Sequence, residues 1–115
     1  VMHVDLWDLV GGLSGEFSPG MYSDPDFSKK LYDAGIRRFK GVASSRVYHF
    51  GSKSTGRIKK NKGRTQFMQK WGFTSGYFTK TYLNIGKPYK QLPNVFSESA
   101  SKKFKNKIKL FKELL

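Results

Sequence analysis

Cysteine is absent from this 115-residue chain, which excludes disulfide frameworks, thiolate metal sites and cysteine nucleophiles together. Also lacking is any apolar run near the roughly 20 residues that cross a bilayer as a helix. No secretory leader pattern opens the chain, and a cytoplasmic location is the expectation. Acidic residues are scarce, eight against 22 lysines and arginines, for a net charge of +14. The scarcity is uneven: residues 1–42 carry six acids and five bases, residues 43–115 two acids and 17 bases. A neutral front therefore leads into a strongly basic back. A field of that sign attracts phosphate, whether in nucleic acid, anionic lipid head groups or a nucleotide diphosphate.

The length suits one domain with a modest core, small for an enzyme that must hold two substrates. Val1 stands where an initiator methionine would, and residues 1–10 already read as patterned sequence. A piece of something larger is expected.

Residues 4–10 place Leu6, Leu9 and Val10 on one side of a short helix, ended by Gly11 and Gly12. Residues 14–22, with Gly15, Pro19 and Gly20, read as a loop. Asp24 is placed to cap a helix that has Pro25 at its first position, Asp26 in its first turn, and Phe27, Leu31 and Ala34 at helical spacing. The pattern predicts a helix over 25–34, closed by Gly35, with Lys29, Lys30 and Asp33 on the wet face. Residues 36–42 and 46–50 then alternate as two candidate strands, and a helix between strands predicts an α/β sheet. Beyond them, residues 64–71 and a helix capped by Thr74 form a helical hairpin, residues 87–99 a linker, and residues 101–115 a last helix. That helix repeats Phe104, Ile108, Phe111 and Leu115 on one face among six lysines.

The order Gly11-Gly12-Leu13, Glu16-Phe17, Ser23-Asp24-Pro25-Asp26-Phe27, Ala34-Gly35 and Arg46-Val47-Tyr48-His49-Phe50-Gly51 resembles the acceptor-side half of family 2 glycosyltransferases, over about half of the chain. The resemblance implies the C-terminal part of a GT-A, Rossmann-like α/β domain over 1–58, followed by a basic helical extension over 59–115. It implies transfer of a sugar, with inversion, from a nucleotide-sugar donor to a glycan or other hydroxyl acceptor. By position Asp24 would be the catalytic base, and His49 would lie by the diphosphate and ligate a divalent Mn or Mg ion. Asp26 is the second choice as base or acceptor contact. Lys53 and Arg57, in a glycine-flanked loop, would neutralise the leaving diphosphate. A sugar hydroxyl is a very weak acid, so a positioned carboxylate must take its proton during attack. The sequence departs from the family pattern at Ser23, where the family has Glu, and in lacking the nucleotide-binding half with its Asp-x-Asp.

Each residue also has a plainer reading. Asp24 is an N-cap, Asp26 offsets the helix dipole by about 0.3–1 kcal/mol, His49 is a strand histidine, and Lys53 and Arg57 sit in a solvated loop. The aromatics Phe67, Trp71, Phe78 and Tyr82, at helical spacing, suit a core better than sugar stacking. Two other classes stand beside the enzyme. One is a small basic nucleic-acid-binding module, against which the lack of any helix-turn-helix, zinc or RRM signature counts. The other is an adaptor held peripherally to an anionic membrane through residues 101–115.

Overall fold

The computed structural model describes residues 1–19, 21–48, 50, 56–59, 61–89 and 96–115. Five α-helices follow in order: α1 (Val4–Leu9), α2 (Ser23–Asp33), α3 (Gly63–Trp71), α4 (Ser75–Thr81) and α5 (Ala100–Leu114), with one 3-10 turn at Gly15–Phe17. No strand occurs among the described residues. This overturns the α/β, Rossmann-like expectation: residues 36–42 and 46–48 are irregular. Alternation of side chains makes a strand only where a neighbouring strand takes up the backbone N–H and C=O groups, and among the described residues none is present to do so. No helix among the described residues is long and apolar enough to cross a membrane.

Helix punctuation behaves as the residues dictate. Thr74, extended at φ −76°, accepts the Tyr77 N–H on its hydroxyl and opens α4. Gly72 closes α3 in the left-handed region at φ 77°. Helix α2 differs from expectation, because it begins at Ser23 after Tyr22 has turned through φ 75°. Asp24 is thus a first-turn residue and not the N-cap.

The core is aromatic. Phe17, Tyr32, Phe67, Phe73 and Phe78 form one buried cluster, drawn from the 3-10 turn, α2, α3, the α3–α4 corner and α4. Phe73 lies against Phe67, Phe78 and Tyr82 with ring centroids 6.3, 6.3 and 5.5 Å apart, within the range where ring pairs gain beyond area burial. The buried side of α2 is Ser23, Asp26, Lys29, Leu31 and Tyr32. Lys29, expected on the wet face, is buried. Its ammonium lies 4.6 Å from the Trp71 ring centroid and pairs with Asp33 one turn on. Ala34, expected inside, is exposed.

Helix α5 packs on α3 through its polar side. Arg64 Nε meets Glu113 Oε1 at 3.0 Å, and buried Asn106 donates from Nδ2 to Glu98 Oε1 at 2.7 Å.

Candidate functional site

Two groups of side chains stand out: a buried carboxylate hub at the start of α2, and the outer face of α5.

At the hub, Asp26 is fully buried. One carboxylate oxygen, Oδ2, accepts from Ser14 Oγ at 2.6 Å; the other, Oδ1, accepts from Trp71 Nε1 at 2.9 Å and meets Lys70 Nζ at 2.9 Å. Lys70 also meets Glu16 Oε1 at 2.7 Å and donates to Ser14 Oγ at 3.1 Å. Burial alone would lower the Lys70 pKa, but its hydrogen bonds to Glu16 and Asp26, with their charges, outweigh that and hold it above the ordinary lysine value. Lys30 completes the cluster by donating to the Gly12 carbonyl at 2.6 Å. Three stretches of chain, 12–16, α2 and α3, are thereby tied to one carboxylate. A carboxylate so enclosed by donors fixes structure, and its lone pairs are already engaged.

The predicted site residues separate accordingly. Asp24 and Asp26 share the first turn of α2, yet Asp24 is exposed and Asp26 is at the centre of the hub. Arg57 is exposed. His49 and Lys53 lie outside the described residues. Among the described residues no three His, Cys, Asp or Glu side chains converge as a metal-binding group.

Residues 101–115 read as an amphipathic helix, and α5 carries that stripe outward. Phe104, Ile108, Phe111 and Leu115 are 65, 42, 65 and 92% exposed. At 100° per residue they fall within about 60° of one another around the helix. Lys105 and Lys112 follow on one flank and Lys107 on the other, while Asn106, Leu110 and Glu113 lie on the opposite side, toward the protein. The periodicity was legible in sequence; its direction was not. Asn106 and Glu113, with partners on α3 and at Glu98, are the residues that turn the helix over.

The aromatic cluster also perturbs two phenols. Burial, then Glu98, pushes Tyr77 up to about 12, and burial, with Glu98 and neighbouring Tyr77 adding to it, does the same for Tyr82.

Comparison with protein-family models, with curated proteins and with solved structures returns no match.

Proposed function

We propose that this chain is a peripheral membrane-binding module that lays α5 on a surface of anionic lipid. One observation carries the reading: α5 turns a stripe of four large apolar side chains to solvent, opposite the side that packs, with lysines on both flanks. An exposed aromatic and aliphatic stripe costs solubility unless something covers it. Flanking lysines suit a cover that is apolar below and negatively charged at its rim, which is the section through an anionic bilayer surface. At 1.5 Å per residue, α5 spans about 22 Å, long enough to lie in the interface and too short to cross it. Each lysine held near such a surface contributes about 1 kcal/mol at physiological ionic strength. The six lysines of α5 are free of ion pairs with the described residues, so their charge is available. Nucleic acid would use the same lysines and stack bases on Phe104 and Phe111, but it gives the exposed aliphatic Ile108 and Leu115 no hydrocarbon cover.

Sedimentation with vesicles tests the reading. The chain should bind vesicles containing phosphatidylserine and leave purely phosphatidylcholine vesicles alone. Phe104→Ser with Phe111→Ser should weaken binding at least tenfold at unchanged charge. Equal binding by that variant, together with tight, steeply salt-dependent binding of random oligonucleotides, would transfer the reading to nucleic acid.

A further inference from the structure

A second group of cations lies outside α5, around a groove. The exit of α2, the chain leaving α4 and residues 96–97 enclose an open groove of about 1570 Å³, larger than the roughly 300–1,000 Å³ of a drug-sized site. Leu31, Phe39, Tyr82, Leu83 and Phe96 supply an apolar floor. Tyr82 and Phe96 meet edge to face at 4.7 Å, and the Phe96 N–H donates to the Tyr32 hydroxyl, which fixes that wall to α2. Around the floor stand Arg37, Arg38, Lys40 and Lys87, and among the described lining residues there is no carboxylate.

Arg37 is the informative member. Its guanidinium stacks 3.8 Å from the Tyr32 ring centroid, and Nη1 donates to the carbonyls of Tyr32 and Ile36. Its Nε–H is buried without a hydrogen-bond partner among the described residues. The charge is therefore held in place by carbonyls and a ring, with no carboxylate among the described residues to neutralise it. A partly desolvated cation with no counter-charge favours an oxyanion beside it. Lys40, 5.5 Å from the Tyr89 ring centroid, and Lys87, whose Nζ donates to the Asn84 side-chain oxygen at 3.4 Å, add positive charge at the rim.

We infer that this groove binds a single-chain anionic amphiphile, its phosphate or carboxylate head among the rim cations and its alkyl chain along the aromatic and aliphatic floor. The groove shares no residue with α5, so the inference stands independently of the vesicle reading.

Titration calorimetry of the intact chain provides the test, with decyl phosphate below its micelle concentration, decyl maltoside as the neutral chain and inorganic phosphate as the bare head. One decyl phosphate should bind per chain, at least tenfold tighter than either control. Decanoate in place of decyl phosphate reports which head is preferred, and binding of either supports the site. Arg38→Gln with Lys87→Gln, both at exposed positions, should weaken binding at least tenfold while the circular dichroism is unchanged. Phe104→Ser with Phe111→Ser should leave it intact. Equal affinity for maltoside or for inorganic phosphate, indifference to the arginine and lysine substitutions, or loss of binding in the α5 variant would each overturn the assignment.

Discussion

Trp71 donates its indole N–H to the fully buried carboxylate of Asp26 at 2.9 Å, joining the last residue of α3 to the first turn of α2 across 45 positions of sequence. The bond makes a carboxylate that local sequence assigns to the helix dipole into the point where three segments meet. Asp26→Asn keeps the shape but removes the charge that Lys70, Ser14 and Trp71 are arranged around. It should destabilise the fold by about 3 kcal/mol, whereas Asp24→Asn, at an exposed position, should stay within about 0.5 kcal/mol. Urea denaturation of the two variants checks the contrast, and equal midpoints would remove Asp26 as the hub.

Glycine is required at two close approaches. A Cβ on Gly63 would lie 2.4 Å from the Met21 carbonyl oxygen and 2.8 Å from the Tyr22 ring; one on Gly12, at φ 62°, would lie 2.8 Å from the Trp7 ring. Gly63→Ala should cost about 1–3 kcal/mol through forced displacement of backbone. Gly76→Ala, with nothing within 4 Å and inside α4, should be neutral or stabilising by up to about 1 kcal/mol. Thermal melts of the pair give the comparison.

Alkaline pH should unfold the protein cooperatively. Tyr77 and Tyr82 rise to about 12 from 10.0, so between those values the unfolded chain has released phenolic protons that the folded chain keeps. The unfolded state then binds fewer protons, and stability falls as pH rises. Lys70 acts in the same direction: its raised pKa gives a contribution fully present below 10.5 and lost as pH climbs through the higher folded value. Melting temperature followed from pH 9 upward should drop beyond about 10, and Tyr77→Phe should reduce the slope. A flat profile to pH 12 would contradict the burial of these groups.

Truncating the outer stripe should not harm the fold. Phe104 and Phe111 are each 65% exposed, so Phe104→Ser with Phe111→Ser should shift stability by less than about 1 kcal/mol. Asn106→Leu, which strands Glu98 without its 2.7 Å donor, should cost about 1–3 kcal/mol. A large loss from the double serine variant would mean that the stripe packs inward.

Sequence carried the helices well because their signals are local. Thr74 and Gly72 act on the backbone within four residues of themselves, and the 3.6-residue period of α5 is complete within one helix. What failed depends on distance. Residues 36–42 alternate like a strand, but a strand is defined by its neighbour, and no local pattern reveals whether one exists. The same applies to α2, where Asp26 and Lys29 go inward because Trp71 and Lys70 await them from α3. The glycosyltransferase resemblance rested on the spacing of small motifs, and the fold that spacing implied is replaced by an aromatic helical core. For α5, the stripe was visible but its orientation depended on Glu98, just before the helix, and on Arg64, far along the chain from the Glu113 it holds.

The outward stripe on α5 also has a consequence for the purified protein. At low salt, a net charge of +14 keeps copies apart even where their apolar faces match. As ionic strength rises and the screening length contracts from about 10 Å at 0.1 M to about 3 Å at 1 M, that repulsion fades while the attraction between stripes does not. The chain should therefore travel as a monomer in dilute buffer and self-associate in strong salt, so that the usual remedy for a sticky basic protein makes this one stickier.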